Sequence, residues 1–261
     1  MERLDGADPE AGVQGDQSKH SSGGLTVRHE ILYQPSFSLA VVSLERGESI
    51  MAESGAMISM SPTIKLEAQM SGGGLFGALK SAVGGESLFR TTFTAESGPG
   101  EVTLAPSTLG DILSVPLSGN RFFVQPGSYL AGDPRLNIGV QGSVRGMLAG
   151  EGLFLLTVEG NGLLLLSSFG AIHEKYLGPG EEYIVDTGHI VAFEDSVQYH
   201  LEKATGKSQG LGGFLKGMVQ SGLSGEGLVC RYRGPGRIYI QTRQFPSFAR
   251  QLLPFLPKTG G

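Results

Sequence analysis

Hydrophobic residues occur along this chain in short runs that are separated by glycine-rich turns. The clearest example spans residues 153–158 and 163–166, two apolar runs on either side of Gly160-Asn161-Gly162. Runs of this length between turn residues are typical of β-strands. An Asn-Gly step between two such runs predicts a hairpin. Apolar runs without polar alternation predict strands that are covered on both faces.

The same pattern occurs three times, and two glycine motifs mark each copy. One motif is a pair of glycines that frame an apolar centre with the same spacing in every copy: Gly47 and Gly55, Gly119 and Gly127, Gly180 and Gly188. We expect these glycines to supply positive φ angles at both ends of a strand. The other motif is Gly-Glu-x-Leu ahead of a Gly-x-Gly turn, at residues 85–88 and 98–100, 150–153 and 160–162, 225–228 and 234–236.

An internal repeat of this kind predicts an all-β fold. We predict a single domain over residues 25–245 with three β-sandwich repeats, near residues 37–104, 109–169 and 173–242. A pseudo-threefold arrangement would let each repeat bury one face against the others. The polar residues 1–24 predict a disordered tail. Residues 246–261 predict a C-terminal tail with a short helix that ends before Pro254.

Composition narrows the class of protein. Glycine accounts for 42 of the 261 residues without a collagen period, which suits a fold with many tight turns. The net charge of −5 provides no basic footprint, so no nucleic-acid partner is expected. The single cysteine, Cys230, excludes an internal disulfide framework. The polar N-terminus and the lack of a long apolar stretch predict a soluble, cytoplasmic protein.

Two glycine-rich inserts, at residues 72–84 and 210–222, interrupt the first and third copies, and the shorter segment 142–149 takes their place in the second. In the third copy apolar residues recur at helical spacing. Because glycine destabilises a helix, a helix at this insert would need a surface to pack upon. Two interpretations are open: the inserts cap the sandwiches internally, or they dock on a membrane surface or a protein partner. The docking hypothesis names as contacts Leu75, Phe76, Leu79, Lys80, Leu211, Phe214, Leu215, Lys216 and Met218.

The sequence predicts no catalytic residue and no cofactor. Gly72-x-Gly74-x-x-Gly77 matches a dinucleotide-binding motif, but the chain lacks the alternating strands and long helices that the motif needs. Residues 206–208 resemble the end of a phosphate-binding loop without its opening glycine. Cys230 has no histidine beside it in sequence and is interpreted as a small strand residue.

Histidines and repeated glutamates are the remaining chemical candidates. Four histidines lie in separate predicted strands without metal-ligand spacing, so no metal site is predicted: His29, His173, His189 and His200. One glutamate occupies the same motif position in each copy: Glu86, Glu151 and Glu226. These glutamates either bond local backbone N–H groups or line the pseudo-threefold axis as a ring of carboxylates.

These motifs resemble those of one known family. The glycine spacing, the insert around Leu75-Phe76-Gly77 and the Gly-Glu-Gly-Leu motif at residues 150–153 are similar to the altered-inheritance-of-mitochondria protein 24 family, over residues 25–245. The resemblance implies a β-sandwich repeat fold related to the tryptophan RNA-binding attenuation protein and to the double-stranded β-helix. It also implies a eukaryotic branch tied to mitochondrial inner-membrane organisation and prokaryotic members without assigned activity. Because the chain begins without a presequence, we expect a prokaryotic-type member.

The sequence favours a non-enzymatic scaffold or interaction protein that contacts a membrane surface or a protein partner through the apolar inserts. In this hypothesis Lys80 and Lys216 touch anionic groups. The alternative is a small-molecule-binding or enzymatic β-sandwich with a pocket between repeats, which a cleft lined by two or more of His173, His189, His200 and the repeated glutamates would favour. Association into a homo-oligomer is left open.

Overall fold

The computed structural model of this chain describes residues 27–69, 90–142, 153–203 and 228–255. These residues form seventeen β-strands in three hydrogen-bonded sheets, together with one α-helix and short 3₁₀ turns. The prediction of a predominantly β chain is therefore confirmed. Within the same residues, no helix has the length and apolar character needed to cross a membrane.

The first segment of the chain contributes seven short strands. They are β1 (Arg28–Leu32), β2 (Leu39–Leu44), β3 (Ser49–Glu53), β4 (Met57–Met60), β5 (Ile64–Gln69), β6 (Arg90–Ala95) and β7 (Gly100–Leu104). The second segment contributes four strands, two of which are long. They are β8 (Ile112–Val124), β9 (Tyr129–Gly132), β10 (Asn137–Gln141) and β11 (Leu155–Ser167).

The third segment contributes six strands and is followed by the helix. The strands are β12 (Ile172–Leu177), β13 (Glu182–Asp186), β14 (Ile190–Glu194), β15 (Gln198–Lys203), β16 (Leu228–Arg233) and β17 (Gly236–Gln241). The helix α1 spans Phe245–Leu252 and ends before Pro254, as predicted, where a proline cannot continue the hydrogen-bonded ladder.

The three segments pair their strands in the same order, always antiparallel. In the first segment β7 lies between β2 and β4, and β6 lies between β3 and β5. In the third segment β17 lies between β12 and β14, and β16 lies between β13 and β15. In the second segment the long strands β8 and β11 supply two strands each, and β9 and β10 flank the two halves of β11.

Strand pairing also connects neighbouring segments. β9 of the second segment pairs with β3 of the first, and β14 of the third pairs with the C-terminal half of β8. We call each of these inter-segment pairings a joint. A closed threefold arrangement needs a third joint between β4 and β13, but each of these strands is the end of its own sheet. The pseudo-threefold arrangement therefore stays a prediction.

The predicted hairpin at Gly160-Asn161-Gly162 is wrong. β11 runs through these residues as one strand, and its pairing with β8 continues after a register shift between Glu159 and Asn161. In the other segments the strands flanking the Gly-x-Gly motif, β6 and β7 or β16 and β17, pair with different partners. Gly160 and Gly162 have φ angles of 125° and 151°. The motif therefore makes a bulge that bends the strand between two sets of partners.

The paired glycines of the other motif behave as predicted at the first position of every pair, but at the second position of only one pair. The first glycine of each pair has a positive φ: 88° at Gly47, 84° at Gly119 and 76° at Gly180. At the other end Gly55 also has a φ of 88°. Gly127 and Gly188 do not, because each lies in a 3₁₀ turn, Pro126–Ser128 or Thr187–His189, whose backbone has negative φ angles.

The central strand β11 is shared between two hydrophobic cores. The four leucines of residues 163–166 are at most 1% exposed, so the prediction of a strand covered on both faces is confirmed. Leu163 and Leu165 pack with the core of the first segment, whereas Leu164 and Leu166 pack with a second core around Phe122. A third core, around Phe193, lies between the second and third segments. Because side chains alternate along a strand, one apolar run serves two cores.

Candidate functional site

The contact residues proposed from the sequence lie outside the described residues. This is the case for both inserts, residues 72–84 and 210–222, and for Glu86, Glu151 and Glu226. Docking through the inserts and convergence of the glutamates both stay predictions. The described residues carry another apolar surface, which the motifs and repeats of the sequence do not indicate.

Exposed apolar side chains collect where the strands β2, β8 and β12 begin. The loop before β2 exposes Tyr33 and Phe37, and Leu109 is exposed before β8, with 63%, 68% and 61% of their surfaces open. The backbone holds these segments together, because the Ser38 N–H donates to the Gly110 carbonyl over 3.1 Å and the Gly170 N–H donates to the Leu109 carbonyl over 2.9 Å. We call this surface, with the helix residues described below, the apolar end.

A buried carboxylate fixes the loop that carries Tyr33 and Phe37. Asp111 is buried, and its Oδ1 accepts hydrogen bonds from Gln34 Nε2 over 3.0 Å and from Ser38 Oγ over 3.0 Å. Tyr33 has a φ of 61°, in the left-handed region that residues other than glycine rarely adopt. Such a conformation persists only where its surroundings hold it. The loop that carries the two exposed rings is therefore held in one conformation.

The helix α1 extends the apolar end. Phe248 packs edge-on against Phe169, with the ring centroids 5.3 Å apart, and Phe245 contacts the same ring at 6.4 Å. Phe169 is the neighbour of Gly170, whose N–H donates to the Leu109 carbonyl, so the helix packs on the same connection between strands that is hydrogen-bonded to Leu109. The helix keeps much of its apolar surface open, and the large apolar residues exposed in this segment are Phe245, Phe248, Leu252 and Phe255.

The charge of this segment is positive. Helix α1 has no acidic residue in its first turn and has Arg250 in its last turn. From Arg243 to Gly261 the sequence has no aspartate or glutamate at all, although the whole chain has a net charge of −5. Aromatic side chains combined with arginine on a short amphipathic helix are typical of segments that lie in the headgroup region of a membrane.

The sequence contained a signal for this surface that its periodicity did not reveal. The sequence predicts a short helix in the tail 246–261 but does not indicate that its aromatic residues are exposed. The clue was the combination of Phe245, Phe248 and Phe255 with basic residues and no acidic ones. The exposure of Tyr33, Phe37 and Leu109 depends on contacts between distant segments, which no local pattern reports.

The single cysteine is a buried strand residue. Cys230 lies in β16, fully inaccessible to solvent, between the strands β13 and β15. Burial raises the pKa of its thiol to about 11. Because the thiolate is the nucleophilic form, this environment disfavours nucleophilic chemistry at Cys230.

The histidines occupy separate elements. His173 and His200 are exposed on β12 and β15, which belong to different sheets, and the Nδ1 of His189 lies 2.7 Å from the carbonyl oxygen of Gln241. The partly buried His29 places its Nε2 2.8 Å from Ser114 Oγ, and burial lowers its pKa. Over residues 27–69, 90–142, 153–203 and 228–255, no group of three or more His, Cys, Asp or Glu residues could hold a metal ion.

Comparison with known proteins gives a consistent family assignment. The model of the family described as mitochondrial biogenesis AIM24 matches residues 29–243. An uncharacterised protein of Streptococcus pyogenes serotype M6 is 32% identical over 230 residues, which cover 85% of this chain and 88% of that protein. The X-ray crystal structure of a Streptococcus pyogenes protein is similar with a TM-score of 0.70 and 32% identity, covering 88% of this chain and 100% of that one.

Proposed function

The chain belongs to the mitochondrial biogenesis AIM24 family, and from its apolar end we propose that it is a non-enzymatic interaction protein that docks on an anionic membrane surface. The observation that carries this proposal is the group of exposed aromatic residues on two anchored segments, the loop at Tyr33–Phe37 and the helix α1. Exposed apolar patches of this kind mark contact sites for a membrane or a partner.

The hydrophobic effect supplies the affinity in this proposal. Complete removal of a phenylalanine side chain from water contributes roughly 1.5–3 kcal/mol. Phe37 and Phe245 are each more than half exposed in the free protein, so most of that contribution is still available for docking. Because Asp111 and Phe169 already hold these segments in place, little conformational entropy is lost when the rings enter the interface.

Electrostatics favour an anionic surface over a neutral one. Arg243 and Arg250 flank the exposed rings of α1, and no acidic residue follows Arg243 in the sequence. Basic residues next to an anionic surface each contribute about 1 kcal/mol, and salt screens this attraction. The docking hypothesis for the inserts remains part of this proposal. The predicted insert residues, with Lys80 and Lys216, would enlarge the contact with the anionic surface.

The proposal also includes the finer architecture. We propose that the three segments are copies of one six-stranded β-sandwich repeat of the kind found in the tryptophan RNA-binding attenuation protein and the double-stranded β-helix. The recurring order of strand pairing supports this interpretation. In such an arrangement the starts of β2, β8 and β12 come together, which agrees with the hydrogen bonds that join Ser38 to Gly110 and Leu109 to Gly170.

Substitution of the exposed rings tests the docking proposal. The double variant Phe37→Ser/Phe245→Ser is expected to bind vesicles of phosphatidylglycerol at least about tenfold more weakly than the unchanged chain. The two rings together contribute more than about 1.4 kcal/mol to docking, and a loss of that size weakens binding by a factor of ten. Co-sedimentation with vesicles measures the partition. Vesicles of pure phosphatidylcholine are expected to bind less protein, and the difference is expected to shrink as salt is raised.

A matched control separates the apolar end from general surface hydrophobicity. Tyr176→Ser/Leu66→Ser removes two exposed residues from β12 and β5, with 57% and 40% of their surfaces open, and is expected to bind as the unchanged chain does. Equal binding by both double variants would contradict docking through the apolar end. If Phe76→Ser/Phe214→Ser alone abolished binding, the contact would lie in the inserts.

A further inference from the structure

The two joints of the molecule share one geometry. In each joint a strand that follows a glycine turn, β3 or the second half of β8, pairs with the strand β9 or β14 of the next segment. We call β3, the second half of β8 and β13 the receiving strands, and β4, β9 and β14 the inserting strands. One inserting strand, β4, and one receiving strand, β13, have no partner across a joint within the described residues.

The inserting strands carry the same bulge at the same place. Leu130 in β9, Val191 in β14 and Ile58 in β4 are each skipped in the pairing with the neighbouring strand of their own segment. Leu130 and Val191 are fully buried, whereas Ile58 is 63% exposed. The same residue position is therefore part of the interior in two segments and open to solvent in the third.

The receiving strands show the same contrast. Four residues after the glycine that opens each receiving strand lie Met51, Phe123 and Ile184. Met51 and Phe123 are buried, and Phe123 packs on Phe193 of β14 with ring centroids 5.1 Å apart. Ile184, the equivalent residue of β13, is 47% exposed, and its neighbour Tyr183 is 37% exposed.

The edge strands β5, β10 and β15 do not show this contrast. Among the described residues, β5, β10 and β15 are the edge strands at the same place in all three segments. β4 and β13 differ from these edge strands. The counterparts of β4, which are β9 and β14, and those of β13, which are β3 and the second half of β8, are all paired with a strand of a neighbouring segment. Unpaired strand edges with exposed apolar residues are prone to pair with another chain.

We infer that β4 of one molecule pairs with β13 of a second copy of this chain, to form the same joint between molecules that β9–β3 and β14–β8 form within one molecule. The occupant is a second copy because the two free strands are complementary halves of one established joint. The pairing is head-to-tail, so that association continues into a ring or an open array of chains rather than stopping at a dimer.

The internal joints also fix the register. Ala131 opposes Ala52 and Ala192 opposes Val124, which places Ser59 opposite Val185 in the new joint. One residue further along, Met60 then opposes Ile184, in the place that Phe193 and Phe123 occupy within the chain. This contact uses none of the residues of the apolar end and does not rest on docking to a membrane.

Disulfide trapping between two different single-cysteine variants tests the joint and its direction. A mixture of Met60→Cys and Ile184→Cys chains is expected to form a disulfide-linked dimer under mild oxidation, whereas each variant alone is expected to form none. Mixing Met60→Cys with Glu182→Cys, which is out of register by two residues, provides the control. Cys230 is inaccessible and stays in place.

The double variant Met60→Cys/Ile184→Cys distinguishes the two ways of closing the joint. Linked multimers support the pairing between molecules. A linkage within single chains, with no dimer in the mixed sample, would show that β4 and β13 close on each other and would overturn the inference. Absence of any linkage in either sample would overturn it as well.

Sedimentation analysis gives a second readout without cysteines. The unchanged chain is expected to sediment with a mass that rises above that of the monomer as its concentration increases. Ile58→Lys or Ile184→Lys is expected to abolish this rise, because a lysine on an edge strand opposes pairing, while Leu66→Lys on the edge strand β5 leaves it unchanged. Since all three positions are exposed, the variants keep the fold, which circular dichroism checks. A monomer at every concentration of the unchanged chain would contradict the inference.

Discussion

Replacing Phe193 with alanine is expected to lower the free energy of unfolding by about 3–5 kcal/mol, the range found when a buried phenylalanine is truncated. Phe193 is fully buried in the joint between β14 and β8. Its ring contacts Phe123 at 5.1 Å and Tyr199 and Tyr232 at 5.0 Å between centroids. Truncation removes a ring that three others pack on, so the surroundings cannot collapse to fill the cavity. Equilibrium denaturation measures the loss.

Two further substitutions give this prediction its control. Phe193→Leu keeps most of the apolar volume and is expected to cost roughly 1–2 kcal/mol. Met60→Ala changes the equivalent residue of the free strand β4, which is 40% exposed, and is expected to cost less than about 1 kcal/mol in dilute solution. Similar losses for Phe193→Ala and Met60→Ala would contradict the distinction between closed and open joints.

Replacing Gly110 with alanine is expected to destabilise the protein by about 3 kcal/mol or more, at the upper end of the cost of overpacking. A Cβ atom at this position would overlap the carbonyl oxygen of Ser168, which is backbone and cannot rotate away. Gly110 bridges Gly170 and its carbonyl accepts the Ser38 N–H. The substitution therefore forces apart the starts of three strands. Thermal and denaturant unfolding report the change.

Gly98→Ala is the matched control for Gly110. The nearest atom to an added Cβ at Gly98 is the methyl group of Thr63 at 3.7 Å, an ordinary contact, and the φ angle of Gly98 is not positive. We expect this variant to unfold within about 0.5 kcal/mol of the unchanged chain. Equal stability of the two variants would contradict the close approach of the Ser168 carbonyl oxygen to Gly110.

The sequence predicted those features that short-range chemistry determines. Short apolar runs between glycines indicated strands, and Pro254 indicated the end of α1, and both are confirmed. The hairpin at Gly160-Asn161-Gly162 was wrong because the partner of the strand after the turn is β8, more than forty residues away, and not the strand before it. Local turn signals cannot choose between a nearby and a distant partner.

The candidate surfaces were less predictable than the fold for the same physical reason. Ile58, Leu130 and Val191 are similar aliphatic residues, and nothing in their local sequence indicates that two are buried and one is exposed. The difference arises because, in the part of the chain that the structure describes, β4 has no partner strand from a neighbouring segment. The exposure of Phe37 likewise depends on hydrogen bonds between Ser38, Gly110 and Asp111. The inserts, which carried the docking hypothesis, lie outside the described residues.

Hydrogen–deuterium exchange in the presence of phosphatidylglycerol vesicles tests the central claim, docking through the apolar end, most directly, because it locates the contact on the chain. We expect slower exchange on vesicle binding in residues 33–38 and 245–252, and unchanged exchange in β5 and β12, where the control residues Leu66 and Tyr176 lie. The Phe37→Ser/Phe245→Ser variant is expected to lose the protection. Vesicle binding that leaves exchange at residues 33–38 and 245–252 unchanged would contradict the account.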